Sequence, residues 1–311
     1  MYMAEVFDMR RLAGVSLIVA ALALVAGAAQ ADGPFRDRIR ERVQQRMQER
    51  AQQDAPPADE TEIVGLSIAY WLPPEEAYPA PLVVFSHGFG GCKTQSVFLM
   101  QARARHGYIV FAPDHADARC GGAGGSFGRP EEKFRASGNW TDKTYADRGR
   151  DIKNLVAALQ KDELWAKRID WAHVALAGHS LGGYTALGLA GGWTSWKMQG
   201  VQAVLALSPY AAPYAQSGDL AHLGIPVMYQ SGTRDLGVKP ALVKEGGVFD
   251  KTKAPAWYVE FDKTGHFGWT EMQKSAHDNI VHYSLWFLDR ALRGADAPLS
   301  RAEGVADLRS K

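Results

Sequence analysis

The segment from residue 174 to residue 183 reads VALAGHSLGG and decides the fold of this chain. Its first four residues, Val174–Ala177, form an apolar run typical of a strand that is buried on both faces. The pattern G-x-S-x-G follows directly at 178–182, and an Ala/Leu/Gly-rich helical stretch continues to about residue 190. Between a strand and a helix this pattern is typical of a nucleophile elbow, a tight turn that holds the serine in a strained conformation. We therefore predict that Ser180 projects from the sheet edge at a helix start and acts as a nucleophile.

Outward from this segment the sequence alternates between short apolar runs and helical stretches. This alternation predicts an α/β fold, with a mainly parallel central sheet and helices on both faces. The predicted strands are Ile63 to Trp71, Leu82 to Ser86, Ile109 to Pro113, Val174 to Ala177, Val201 to Leu207, Val227 to Gln230 and Trp257 to Phe261. The predicted helices lie near Thr94 to Arg105, Thr144 to Gln160, Leu181 to Ala190 and Phe267 to Arg293.

A serine nucleophile needs a base, and among the nine histidines His266 is best placed. It follows the predicted strand 257–261 and precedes the last helix. The base in turn needs a carboxylate that fixes its tautomer, and Asp235, just after the predicted strand 227–230, fits that role. Asp262 is the alternative acid, but its position at a strand end is more typical of a salt bridge or cap. We predict a catalytic triad of Ser180, Asp235 and His266.

A glycine-rich segment, Ser86-His87-Gly88-Phe89-Gly90-Gly91, follows the predicted strand 82–86. Glycines there let the backbone approach a substrate closely. We predict that the backbone N–H groups of Phe89 and Leu181 bind the oxyanion of the tetrahedral intermediate. The side chains of Phe89 and Trp269 are the candidates for lining a substrate cleft.

Two longer stretches, VVFSHGFGG at 83–91 and RHGYIVFAPDH at 105–115, resemble those of platelet-activating-factor acetylhydrolases. The chain is also similar to dienelactone-hydrolase-like esterases and, more distantly, to cutinase-like polyester hydrolases. The similarity covers roughly residues 61 to 293. It implies the α/β-hydrolase fold and ester hydrolysis without a metal or organic cofactor. Dienelactone hydrolases proper carry cysteine at the elbow, and Ser180 departs from them.

The composition argues against a polyanionic partner. The 311 residues are 46% hydrophobic and 22% charged, with a formal net charge of +1. No strong field of one sign is present to recruit nucleic acid, and the motifs of nucleic-acid readers are missing. The two cysteines, Cys92 and Cys120, do not have zinc-ligand spacing, and the sequence leaves open whether they form a disulfide or are unrelated thiols.

The N-terminus has the features of a Sec-type export signal. Arg10 and Arg11 precede an apolar run that ends near Ala26, and Ala29-Gln30-Ala31 matches an A-x-A cleavage site. The run is shorter than the roughly 20 residues of a membrane span, although an uncleaved anchor remains an alternative. We predict cleavage after Ala31, no stable membrane insertion afterwards, and a secreted or periplasmic protein.

The remaining boundaries follow from composition. We predict a charged, partly disordered helical linker at 32–60, the catalytic domain at 61–295 and a C-terminal tail at 296–311. The expected activity is cleavage of a small or polymeric carboxylic ester through an acyl-enzyme on Ser180. A polyester, a lipid acetyl group, an amide or a thioester is an alternative substrate, and a catalytically inactive binding scaffold is the alternative outside enzymes. The natural substrate and the oligomeric state are not determined by the sequence.

Overall fold

A computed structural model describes residues 58–119, 129–253 and 255–311. Within them the backbone forms one nine-stranded sheet. The strands are β1 (Asp59–Ile63), β2 (Leu66–Trp71), β3 (Ala80–Ser86), β4 (Ile109–Pro113), β5 (Ile169–His179), β6 (Val201–Leu207), β7 (Val227–Gly232), β8 (Ala256–Phe261) and β9 (Val305–Ser310). The helices are α1 (Val97–Arg105), α2 (Ala146–Lys161), α3 (Glu163–Arg168), α4 (Leu181–Leu187), α5 (Ala212–Gln216), α6 (Lys239–Val243), α7 (Val248–Lys251) and α8 (His277–Arg293).

The strand order is β1-β2-β4-β3-β5-β6-β7-β8-β9. All neighbours from β4 to β8 pair in parallel, whereas β1–β2, β2–β4 and β8–β9 pair antiparallel. The predicted α/β fold with a mainly parallel sheet is therefore confirmed. Because parallel strands point the same way, the carboxyl ends of β3, β5, β6, β7 and β8 meet at one edge.

Both faces of the sheet are buried, which explains the continuous apolar runs of the central strands. On one face, Leu82 and Val84 of β3 belong to a core that includes residues of α2 and α4. On the other face, Val83 and Phe85 belong to a second core that includes residues of α1 and α8. The helices thus cover the sheet on both sides, as the sequence predicts.

Two parts of the sheet differ from the sequence prediction. The run 63–71 is a hairpin rather than one strand, because Val64 and Gly65 turn the chain with φ values of 50° and 76°. The predicted tail contains β9, so the sheet extends beyond the predicted domain boundary at 295. Only Val305 of this edge strand is buried, which explains its weak hydrophobic signal.

The predicted signal peptide (1–31) and nearly all of the linker (32–60) lie outside the described residues. In the part of the chain that the structure describes, no helix is both long enough and apolar enough to cross a membrane.

Candidate active site

Ser180 lies between β5 and α4 with φ 54° and ψ −115°, a conformation that non-glycine residues rarely adopt. The backbone segments pack so tightly here that glycine is required on both sides. A Cβ atom at Gly182 would lie 1.8 Å from the carbonyl oxygen of Ser86, and one at Gly178 would lie 2.2 Å from the backbone of Gly182. The G-x-S-x-G pattern is therefore explained by the close approach of β3, β5 and α4.

The loops after β7 and β8 bring an aspartate and a histidine to this serine. Nε2 of His266 lies 2.9 Å from Oγ of Ser180. On the other side of the ring, Nδ1 lies 3.2 and 3.3 Å from the two carboxylate oxygens of Asp235, which is buried. The alternative acid, Asp262, is half exposed and contacts Lys263. Among the candidates considered, Asp235 is therefore the carboxylate that contacts the histidine.

A residue that sequence reasoning missed, Ser208, completes this hydrogen-bond network. It follows β6, is fully buried and has a φ of 43°. Its hydroxyl donates to Oδ2 of Asp235, and its oxygen lies 2.8 Å from Nδ1 of His266. A polar residue at the carboxyl end of a strand next to β5 was the available signal, because such strand ends line the sites of parallel sheets.

The loop after β3 passes beside the serine, since a Cβ atom at Gly88 would lie 3.4 Å from Cβ of Ser180. In this loop the N–H groups of Gly88, Gly90 and Gly91 donate to the Gln95 side chain, the Asp117 side chain and the Gly88 carbonyl, respectively. Among the described residues, none accepts a hydrogen bond from the N–H of Phe89.

The second predicted oxyanion donor is Leu181, the first residue of α4. The N–H groups in the first turn of a helix have no partner within the helix. The helix dipole also favours negative charge at this end. Thus the N–H of Phe89 has no acceptor among the described residues, and the N–H of Leu181 lies in the first turn of α4.

A buried arginine on α2, which sequence reasoning also missed, stabilises the loop after β3. Arg148 forms two 2.8 Å hydrogen bonds to the carboxylate of Asp117 and donates over 2.7 Å to the carbonyl of His87. Burial alone would raise the pKa of Asp117, but the hydrogen bonds and charge of Arg148, together with the Gly90 hydrogen bond and the His87 ring, lower it overall. This ion pair fixes the loop backbone because Asp117 also accepts from Gly90.

Three buried histidines surround the site without contacting Oγ of Ser180. Burial, followed by the charge of Arg148, holds the pKa of His87 and that of His115 well below their ordinary value. Burial, followed by the nearby His266, lowers the pKa of His179 to about 3. All three are therefore neutral at neutral pH.

Trp269 does not line a cleft, contrary to the sequence prediction. It lies at the end of a 3-10 turn (His266–Trp269), is fully buried, and donates from Nε1 to Oε1 of Gln230 over 2.9 Å. This turn interrupts the predicted helix 267–293 and directs the indole into the core. The residues that directly follow Asp235 and His266 in the chain are exposed and apolar: Leu236 is 76% exposed and Phe267 is 49% exposed.

Phe89 is partly buried, and its ring packs edge-on against Phe134 at 5.5 Å. The Cys92–Cys120 pairing cannot be described, because Cys120 lies outside the described residues. Within residues 58–119, 129–253 and 255–311, no group of three or more His, Cys, Asp or Glu side chains is arranged to hold a metal ion.

In a comparison with family models, residues 83–309 match the model described as the alpha/beta hydrolase family. The matched residues run from β3 to β9 and include the serine, aspartate and histidine described above. No curated protein matches the chain.

Proposed function

This chain belongs to the α/β-hydrolase family, and from that premise we propose that it is a serine hydrolase that cleaves carboxylic esters. The observation that carries the proposal is the 2.9 Å contact between Nε2 of His266 and Oγ of a serine in a strained elbow. A neutral imidazole at that distance is able to take the hydroxyl proton as the oxygen attacks. The proposed product of the attack is an acyl-enzyme on Ser180.

In the proposed first step, Oγ of Ser180 bonds to the ester carbonyl carbon while its proton passes to His266. Asp235 stabilises the resulting imidazolium through Nδ1. Ser208 holds the carboxylate in place and shares the Nδ1 proton.

The negative oxygen of the tetrahedral intermediate would be held by the N–H groups of Phe89 and Leu181. Losing one such donor typically costs about 3 kcal/mol in the barrier. His266 then protonates the leaving alcohol, and a water molecule repeats the cycle on the acyl-enzyme.

The test is covalent labelling of Ser180 with a fluorophosphonate, followed by turnover of p-nitrophenyl esters of increasing chain length. We expect labelling and ester hydrolysis in the unaltered chain, and nearly complete loss of both in a folded Ser180→Ala variant. If the chain is not labelled, it is a binding scaffold rather than a serine hydrolase. If it is labelled but cleaves only amides or thioesters, the reaction class is wrong.

A polymeric or lipid ester is a second candidate substrate, and the apolar side chains next to the acid and the base favour it. Leu236 and Phe267, 76% and 49% exposed, directly follow the proposed acid Asp235 and the proposed base His266 in the chain. A soluble short ester needs no exposed apolar surface, whereas a polyester chain or an acyl lipid would cover one. Hydrolysis of a polyester film and of acetylated lipid vesicles, compared with p-nitrophenyl acetate, distinguishes the candidates.

We further propose that the protein is exported, on the strength of the signal-like N-terminus. N-terminal sequencing of the protein recovered from outside the cytoplasm should begin at Asp32. Recovery of the intact N-terminus in the membrane fraction would favour the uncleaved anchor instead.

A further inference from the structure

Three loops around Ser180 are joined by one continuous chain of hydrogen bonds through two side chains, Gln95 and His179. The N–H of Gly88 donates to Oε1 of Gln95 over 3.0 Å. Nε2 of Gln95 donates to Nδ1 of His179 over 2.9 Å, and Nε2 of His179 donates to the carbonyl of His266 over 2.8 Å. The chain thus runs from the proposed oxyanion loop, through the residue before the nucleophile, to the loop that carries the proposed base.

The two backbone groups at the ends of this hydrogen-bond chain determine the direction of every hydrogen bond in it. The N–H of Gly88 is only a donor, and the carbonyl of His266 is only an acceptor. The carboxamide of Gln95 therefore turns its oxygen toward Gly88, and the ring of His179 is neutral with its proton on Nε2. A second proton on Nδ1 would face the amide N–H groups of Gln95, which are also donors.

The surroundings leave these two side chains little freedom. The ring of His179 is buried, with ring centroids 5.0 Å from His266 and 6.2 Å from Trp269. A Cβ atom at Gly91 would lie 2.2 Å from Oε1 of Gln95, so the glycine leaves room for the carboxamide.

We propose that Gln95 and His179 are positioning residues that hold the oxyanion loop and the base loop in register on either side of Ser180. The inference rests on the proposed function, because it assigns both residues to that same site. Neither side chain is assigned a contact with the reacting atoms. Gly88 directly precedes Phe89, so releasing Gly88 displaces the proposed oxyanion donor, and a misplacement of about 1 Å is able to reduce a rate by about 100-fold.

The test separates the rate of the reaction from the amount of folded protein. Labelling by a fluorophosphonate forms the bond from Oγ of Ser180 to phosphorus and breaks the phosphorus–fluorine bond, with the serine proton passing to His266. We expect Gln95→Met to reach the same final extent of labelling as the unaltered protein, about 10- to 100-fold more slowly. For p-nitrophenyl acetate, kcat per labelled site should fall by a similar factor while KM changes by less than about threefold.

Gln202→Met is the matched control. Oε1 of Gln202 also accepts from a backbone N–H, that of Val174, over 3.0 Å. Val174 lies before the carboxyl-terminal half of β5 and therefore away from Ser180. Its labelling rate should equal that of the unaltered protein.

Gln95→Glu provides a second variant of the same shape. When ionised it presents no donor to a neutral His179 ring, so while the ring stays neutral the bond at Nδ1 is lost and labelling should slow as well.

The inference is wrong if the folded Gln95→Met variant is labelled at the unaltered rate. It is also wrong if both variants only lower the final extent while the remaining sites react normally, because that result means a structural role alone. If the unaltered chain is labelled but cleaves no ester, the ester function fails while the labelling rates still decide this inference. If Ser180 is not labelled at all, both proposals fail.

Discussion

Acidification from pH 7.5 to pH 5 should destabilise this protein through its buried histidines. An unfolded histidine has a pKa near 6.5 and takes up a proton over this range. Burial lowers the pKa of His179 in the folded protein to about 3, so the folded state does not take up that proton. Stability therefore rises with pH between about 3 and 6.5 and is lost as the pH falls through that window.

The magnitude follows from the difference in proton uptake. His179 alone should lower the free energy of unfolding by about 2 kcal/mol between pH 7.5 and pH 5. His87 and His115, whose pKa values are also lowered by burial, act in the same direction. The three together should therefore contribute a loss between about 2 and 6 kcal/mol, a large part of a typical domain's stability.

Urea unfolding at pH 7.5, 6.5, 5.5 and 5 measures this loss. His179→Asn should be less stable than the unaltered chain at pH 7.5 but should lose about 2 kcal/mol less on acidification. His222→Asn is the control, because the His222 side chain is 81% exposed. Its replacement should leave the change of unfolding free energy with pH the same as in the unaltered chain. A free energy of unfolding that stays constant from pH 7.5 to pH 5 would refute the reasoning.

Three substitutions test other contacts. Ser208→Ala removes the hydroxyl that donates to the proposed catalytic acid, so kcat should fall by about tenfold, while an unchanged kcat would show that this bond plays no part in turnover. Gly182→Ala would place Cβ 1.8 Å from a backbone oxygen, so it should lower the free energy of unfolding by more than the roughly 1–3 kcal/mol of ordinary overpacking. Gly237→Ala, with nothing within 4 Å of the added Cβ, is the control and should change that free energy by no more than about 0.5 kcal/mol in the same urea assay. Arg148→Met leaves the mostly buried carboxylate of Asp117 unpaired and should lower the free energy of unfolding by about 3–5 kcal/mol. Adding Asp117→Asn should restore part of that loss, and equal stabilities of the single and double variants would contradict this.

The placement of the serine, aspartate and histidine was accessible from sequence because each follows a strand of a parallel sheet. Ser180 sits in a turn whose glycine pattern is local, and Asp235 and His266 follow β7 and β8. Parallel pairing then brings their loops to one edge whatever the details of packing. Their proximity is a feature of the structure, whereas their catalytic roles stay predictions.

Other predictions failed where a local pattern has two outcomes. The position of Trp269 beyond the base was compatible with a cleft or with the core, and the 3-10 turn decided for the core. The strand β9 is an edge strand with only Val305 buried, so its sequence carries little hydrophobic alternation. Ser208 was overlooked because its one signal, a polar residue at the carboxyl end of a strand next to β5, does not by itself show a contact with Asp235.

The sequence by itself determined the central parallel strands and the strained elbow, because these depend on apolar runs and on glycines close to one another in the chain. The tertiary structure alone decided which polar groups meet behind the site. Gln95 contacts His179, and Arg148 contacts Asp117, only because separate helices and loops pack against the same sheet edge. Such contacts join residues that are far apart in sequence, and their geometry is set by packing across the whole domain, which no local pattern encodes.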